Sequence, residues 1–174
     1  EQDEIKFLQQ KGISVNTILY SRNQKSVRGN IFSILQNIGP ISSYLIGNEP
    51  FFFAKYNKRG MAELISKLIN ENIFDIVQVE YNVMYHYINQ IENIPKVIIF
   101  HDISTKVYER SINQGNKKNR RSFEIVKKLE PIIANQFQAV VTLSEVDRLY
   151  LYSLGCERKI YVIPPQVKTP QLID

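Results

Sequence analysis

The chain has 174 residues, 44% of them hydrophobic and 22% charged, and a net charge of +5, values that are ordinary for a soluble globular domain. A domain of this length buries roughly 70% of the surface of its unfolded chain and needs neither disulfides nor a structural metal, and the single Cys156 favours the reducing cytosol. No apolar run reaches the length of about 18 residues that a membrane span requires, and the start EQDEIKFLQQ lacks the features of a signal peptide.

The first half of the chain is predicted to alternate helices and strands. Apolar side chains recur at helical spacing from Met61 to Asn72, whereas ISVNTILY is rich in the β-branched residues that favour a strand. Glycine and proline mark the ends of several segments. In chain order we expect a helix over residues 5–11 that stops at Gly12, a strand over 13–20, a short helix over 29–40 that Gly39 and Pro40 close, a short strand over 50–56 and a helix over 61–72.

The second half shows a clearer alternation of strands rich in Val and Ile with helical stretches. Ser144 stands three residues before Asp147, which is a capping pattern and predicts the start of a helix that ends at Gly155. In chain order we expect a strand over residues 74–80, a short helix over 84–88, a strand over 96–100, a basic loop over 115–121, a helix over 123–137, a strand over 139–143, a helix from Ser144 and a last strand over 160–163.

This alternation is typical of βαβ units, so the predicted fold class is α/β, a Rossmann-like three-layer domain with a mostly parallel sheet flanked by helices. In such sheets ligands bind in the crevice beyond the carboxyl ends of the strands. Four predicted strands end there on polar or turn-forming residues. These residues are Glu80, the pair His101 and Asp102, the pair Ser144 and Glu145, and the pair Pro164 and Pro165.

The succession FDIVQVE, KVIIFHDIS, AVVTLSEVDRLYL and GCERKIYVIPP resembles the second half of the N-terminal domain of GT-B fold glycosyltransferases, in particular the large retaining family of bacterial sugar transferases. The order and spacing match over about residues 70–167. The chain departs from that family where Pro165 is followed by Gln166 instead of Asn-Gly. The family's first strand, with its glycine-rich loop, and its C-terminal Rossmann-like domain have no counterpart in the 174 residues.

The resemblance implies one half of a GT-B fold. Residues 1–174 would form a single N-terminal, acceptor-side domain that lacks its first strand and the C-terminal donor-binding domain, so this chain alone would transfer no sugar. The implied substrates are a nucleotide sugar and a glycan or lipid-linked acceptor, with no metal or other cofactor. The implied location is cytoplasmic, with peripheral contact to the inner face of an anionic membrane.

The resemblance also suggests roles for single residues. The family's N-terminal domain contributes a histidine near the donor sugar, and His101 is the matching position, although a strand-end histidine satisfied by backbone groups is the structural alternative. For Asp102 we expect a cap on the next helix, ahead of contact with an acceptor hydroxyl. Glu80 either binds an acceptor hydroxyl or pairs with Arg110. The predicted acceptor-binding set is completed by Arg110, Ser144 and Glu145, with Ser144 mainly a helix cap whose neighbouring amides can also meet an anion.

The positive charge is concentrated between residues 106 and 128 and is densest at Lys117, Lys118, Arg120 and Arg121. We interpret these four as a membrane-docking site, with a solvated loop as the alternative. The charge and ten tyrosines also allow a basic binding module for nucleic acid or a protein, but the aromatic residues are scattered and nucleic acid is disfavoured. Half of a nucleotide-sugar epimerase is a further alternative. His86 is expected to be a packed or surface residue, because the chain has no cluster with metal-ligand spacing.

Overall fold

The structure is a computed structural model that describes residues 2–18 and 38–166. The chain divides into two compact units, with the boundary between Leu35 and Gln36. In the first unit, helix α1 spans Gln2–Gln10, and Gly12 ends it with a φ of 79°. Residues 13–18 are not in a strand, so this part of the predicted strand over 13–20 is wrong, and residues 19–20 lie outside the described part.

The second unit holds a four-stranded sheet and the helices around it. Helix α2 includes residues 38–46. The other elements are α3 (Phe51–Ala54), α4 (Arg59–Glu71), β1 (Val77–Glu80), the 3₁₀ helix η1 (Asn82–Gln90), β2 (Lys96–Phe100), α5 (Ser104–Asn113), the 3₁₀ turn η2 (Lys117–Asn119), α6 (Arg120–Asn135), β3 (Ala139–Thr142), α7 (Glu145–Ser153) and β4 (Ile160–Val162).

The sheet is parallel throughout and has the order β1-β2-β3-β4. Each strand therefore pairs with the next one in the sequence through a crossover that contains helix. Glu80 lies opposite Ile99, and Phe100 lies opposite Thr142, so the carboxyl ends of the first three strands meet at one edge. The predicted α/β class with a parallel sheet flanked by helices is confirmed.

The core lies between the sheet and the helices that cross over it. Its strands are short and rich in Val and Ile because both faces of a parallel sheet are covered. Val126 and Ile133, two turns apart on α6, are fully buried, and complete burial of such a side chain stabilises the fold by roughly 1.5–3 kcal/mol. Other fully or almost fully buried side chains are Phe53, Ile98, Phe100, Phe137, Val140 and Leu151.

Three predicted local structures are wrong. Residues 51–54 form α3 instead of a strand, because a helical turn buries Phe53 and leaves Phe51 and Phe52 exposed. Gly39 and Pro40 do not close a helix but belong to α2, which continues to residue 46. Of the predicted basic loop, residues 117–119 form η2 and the rest from Arg120 is α6. The predicted helix over 29–40 otherwise lies outside the described residues.

Strand β1 is an edge of the sheet as far as the structure describes the chain, since it pairs with β2 alone. The amides of Val77 and Tyr81 donate toward β2, to the carbonyls of Pro95 and Ile99. The main-chain groups of Gln78 and Glu80 therefore face the other edge. There a groove of about 480 Å³ lies between β1, α4 and η1, and its lining is mainly apolar, including Ile65, Leu68, Phe74, Ile76, Val79 and Met84.

No helix within residues 2–18 or 38–166 has both the length and the apolar character that crossing a membrane requires.

Candidate functional site

Glu80 and His101 meet at the carboxyl edge of the sheet. The strand register places the end of β1 opposite Ile99, so the first residue after β2 comes level with the first residues after β1. His101 Nε2 lies 2.6 Å from Glu80 Oε2, and the two side chains are 33% and 45% exposed. The structure thus brings together two of the residues that the sequence predicted for the site, and leaves them accessible from solvent.

The second carboxylate oxygen of Glu80 is also engaged. Gln78 Nε2 donates a hydrogen bond of 2.5 Å to Glu80 Oε1. Residues two apart on a strand project from the same face, which explains why these side chains meet. Gln78 was not among the residues predicted for the site, although its spacing from Glu80 is visible in FDIVQVE. Because both oxygens are held, the carboxylate has a fixed orientation toward His101.

The ring of Tyr81 covers one face of the imidazole. The two ring centroids are 4.1 Å apart with an interplanar angle of 20°, and Tyr81 remains 53% exposed. Tyr81 has a φ of 69°, a region that residues other than glycine rarely adopt and that costs about 1–3 kcal/mol. Such strain persists only where neighbouring contacts impose it. A positive φ is not visible in the sequence, so Tyr81 was missed.

This arrangement prepares His101 to act on a hydroxyl group. When Glu80 is ionised it only accepts hydrogen bonds, so Nε2 must carry the proton that is shared with it. In the neutral imidazole Nδ1 then keeps its lone pair, and no side chain of the described residues hydrogen-bonds to it. The hydroxyl group of a ligand can donate to Nδ1 while the carboxylate stabilises the ring as it gains positive charge.

Asp102 does not cap the following helix, so that prediction is wrong. The N-cap position of α5 belongs to Ile103, whose side chain cannot accept a hydrogen bond. The first amides of α5 are satisfied by Glu130 from α6, which accepts from Ser104 N at 2.6 Å and Thr105 N at 3.0 Å. Asp102 is exposed beside His101.

The remaining predicted acceptor residues belong to a second polar cluster around the start of α7. Ser144 caps this helix as predicted, because its Oγ accepts from Asp147 N at 3.1 Å. Lys106 Nζ binds Asp147 Oδ1 at 2.6 Å. Burial alone would raise the pKa of Asp147, but its contacts with Lys106 and Ser144 and the nearby charge of Arg110 lower it. Glu145 pairs with Arg148, and Glu80 takes His101 as its partner instead of Arg110.

Comparisons with known proteins give no match. No protein-family model, curated protein or solved structure is significantly similar to this chain. The likeness to GT-B glycosyltransferases is therefore a prediction from the sequence alone, and support for a function has to come from the chemistry of the site.

Three of the four residues of the predicted membrane-docking site are simply exposed on the surface. They are Lys117, Lys118 and Arg120. Arg121 differs. Its guanidinium donates to the carbonyls of Tyr44 at 3.2 Å and Leu45 at 2.5 Å and lies over the Tyr44 ring. These carbonyls are in the last turn of α2, so Arg121 satisfies the end of that helix.

His86 is a packed residue, one of the two alternatives considered, and has an ionisable partner that the sequence did not reveal. Its Nε2 lies 3.1 Å from Glu49 Oε2, and the two side chains are only 7% and 12% exposed. Ser43 and Tyr85 also donate to the Glu49 carboxylate. Burial would raise the pKa of Glu49, but its hydrogen bond with His86 and the charge of that ring, together with the two hydroxyls, lower it.

None of the polar groups described above has the composition of a metal site. In the part of the chain that the structure describes, no group of three or more His, Cys, Asp or Glu side chains is arranged to hold an ion. The expectation of a reaction without a metal stays a prediction.

Proposed function

We propose that this chain is the acceptor-side domain of a glycosyltransferase built from two Rossmann-like domains, and that Glu80 and His101 bind and activate the acceptor hydroxyl. The observation that carries the proposal is the 2.6 Å contact between His101 Nε2 and Glu80 Oε2 at the carboxyl edge of a parallel sheet. Ligands bind at this edge in α/β proteins. The resemblance of residues 70–167 to the GT-B N-terminal domain supplies the reaction class.

The reaction requires no covalent bond between the substrate and this domain. Transfer breaks the bond between the anomeric carbon and a nucleoside diphosphate, and the acceptor oxygen forms the new bond while its hydroxyl loses a proton. The acceptor hydroxyl has to be held against the donor sugar, and positioning of this kind provides a large part of enzymatic rate enhancement. His101 Nδ1 accepts the hydroxyl hydrogen bond and then takes the proton that the hydroxyl loses, and Glu80 stabilises the resulting positive charge on the ring.

Two further properties support a role in binding or catalysis over a purely structural one. The pair is a third to a half exposed, and ion pairs with this exposure contribute only about 0–1 kcal/mol to stability. Tyr81, which stacks on the imidazole, is held in a strained backbone conformation of the kind that clusters at functional sites. Its exposed ring offers an apolar surface next to the polar pair, and sugar rings present C–H groups of matching character.

The test uses the full-length product of the gene, in which the proposal expects this chain to be joined to a donor-binding domain. Release of nucleoside diphosphate is measured with UDP-glucose, UDP-galactose, UDP-N-acetylglucosamine and GDP-mannose, with and without added glycan acceptors. We expect turnover with at least one donor, and a decrease of about 10²–10⁴-fold in His101→Ala, the range typical of a lost general base. Glu80→Gln should also be impaired.

Glu63→Gln is the matched control, because Glu63 is an exposed carboxylate on α4 that binds Arg59. It should keep the wild-type rate. Full activity of His101→Ala, or no turnover by the two-domain protein with any nucleotide sugar, would contradict the proposed function.

A further inference from the structure

A carboxylate buried in the core lies beneath the candidate site. Glu130 is in the middle of α6, and its side chain is fully buried, as is that of Thr105, while Asn82 is 5% exposed. The carboxylate accepts four hydrogen bonds. The donors are Asn82 Nδ2 at 2.8 Å and Ser104 N at 2.6 Å to Oε1, and Thr105 N at 3.0 Å and Thr105 Oγ1 at 2.5 Å to Oε2.

All the hydrogen-bonding capacity of this carboxylate is directed at two segments of the chain. Asn82 comes directly after Glu80 and Tyr81, at the start of η1. Ser104 and Thr105 open α5 shortly after His101. Asn82 Nδ2 also lies 3.0 Å from Ser104 Oγ, so the two segments contact each other as well as Glu130. One side chain on α6 thereby connects the segment that follows β1 to the segment that follows β2.

These two segments need contacts from elsewhere in the fold to hold their conformation. Tyr81 has a positive φ, a conformation that neighbouring contacts must impose, and Asn82 is the next residue. On the other side, α5 has no cap of its own, because Ile103 occupies the N-cap position. Packing alone does not require a carboxylate here, since apolar residues of similar size can replace buried charges without loss of stability.

We propose that Glu130 is the positioning residue of the Glu80–His101 site, fixing the two strand-end segments so that the imidazole lies against both Glu80 and Tyr81. Glu130 does not touch His101 itself and acts through Asn82, Ser104 and Thr105. The importance of this positioning for catalysis rests on the proposed function. The positioning itself does not, because it is visible in the folded chain without turnover.

The experiment records the imidazole signals of His101 by NMR in the 174-residue chain. A stacked tyrosine shifts imidazole protons upfield, so the His101 ring protons in the wild type should lie upfield of those in Tyr81→Ala. We expect Glu130→Gln and Glu130→Ala to lose at least half of this upfield shift. The amide of Glu130→Gln keeps the size of the side chain, but its NH₂ group must face either Ser104 N or Thr105 N, backbone amides that can only donate.

Ile133→Ala is the matched control, since Ile133 is equally buried on the same helix and makes no hydrogen bond to either segment. It should lower the melting temperature at least as much as Glu130→Gln while leaving the His101 shift unchanged. If the Glu130 variants do not fold, Asn82→Ala, which removes one of the four hydrogen bonds, should move the His101 signals in the same direction. Unchanged His101 signals in the folded Glu130 variants, or in Asn82→Ala if those variants do not fold, would overturn the proposal.

The outcome is independent of sugar transfer. If the His101 signals respond to Glu130 but the two-domain protein transfers no sugar, the positioning stands and the proposed function fails. If transfer is observed and depends on His101, but the His101 chemical shifts are unchanged in the Glu130 variants, the proposed function stands and the positioning role is excluded.

Discussion

At the scale of single residues, the two histidines occupy opposite environments. His101 pairs with Glu80 at the exposed edge of the sheet, and His86 pairs with Glu49 among almost fully buried groups. Exposed pairs contribute little to stability, whereas a buried hydrogen-bonded pair becomes costly when one partner is removed. Replacement of a residue in the His101 pair should therefore affect activity, and replacement of a residue in the His86 pair should affect stability.

His101→Ala should lower transfer activity while leaving the fold almost as stable as the wild type. The lost pair is worth at most about 1 kcal/mol, which corresponds to a shift of about 2–4 °C in the melting temperature of a domain of this size. Thermal unfolding by circular dichroism, next to the turnover assay, checks both parts. A variant that melts far earlier, or that keeps full activity, would support a structural histidine.

Glu49→Gln should destabilise the chain by about 1–3 kcal/mol near neutral pH, because it weakens a buried acceptor of three donors. The pKa of Glu49 is lowered from its ordinary value of 4.5 by the folded state, so its contribution is complete above that pH and is lost as the pH falls through the lowered pKa. The stability gap between wild type and Glu49→Gln should accordingly narrow below pH 4.5. Urea unfolding across this range measures the gap, and a gap that widens in acid would contradict the assignment.

At the scale of elements, the start of α7 shows how local and distant capping differ. Ser144 caps its own helix within four residues of sequence, and the sequence predicted it. The cap of α5 comes from Glu130 on another helix, which no local pattern encodes, so Asp102 was assigned a role that it does not have.

Ser144→Ala should destabilise the domain by about 0.5–2 kcal/mol, the usual effect of losing an N-cap. The control is Ser66→Ala, within α4, where alanine favours the helix and stability should stay the same or rise slightly. Chemical denaturation measures both variants. Equal stability of Ser144→Ala and wild type would show that the amides of α7 are satisfied by water instead.

The strands and the long helices were predictable because their apolar residues repeat with a clear period over enough residues. The position of Glu80 and His101 at one edge was predictable too, since parallel strands end at one edge. Their direct contact was not predicted, because Arg110 was the expected ionic partner of Glu80. The run PFFFAKY was wrongly predicted as a strand because aromatic residues favour strands. In the structure only Phe53 and Ala54 of this run are buried. Stacking of Tyr81 depends on a rare backbone conformation, which tertiary contacts impose.

At the scale of the whole molecule, one exposed basic residue near the start of α6 lies beside exposed apolar side chains. Arg121 binds the last turn of α2, where Leu45 and Ile46 are 63% and 71% exposed. A surface of this kind, with cations beside exposed aliphatic groups, suits an anionic membrane. Each lysine or arginine near such a surface adds about 1 kcal/mol, within a Debye length of about 8 Å.

We expect the 174-residue chain to sediment with liposomes that contain anionic lipid at low salt and to be released at high salt. The triple change of Lys117, Lys118 and Arg120 to Ser should abolish this binding without unfolding the domain. Arg121 is left intact, because its hydrogen bonds to α2 would confuse the result. Absence of binding at low salt, or binding unaffected by the triple change, would contradict the predicted membrane-docking site.

The groove beside β1 also affects how the chain behaves in a concentrated solution. An edge strand whose main-chain groups face an apolar groove can pair with the same strand of another molecule, which is the usual first step of edge-to-edge aggregation. We therefore expect light scattering to rise with protein concentration, and Ile76→Lys, a charge at a 55% exposed position of the groove, to suppress that rise. Equal scattering by both proteins would indicate another adhesive surface. Storage and crystallisation conditions are then best chosen to keep the β1 edges of different molecules apart.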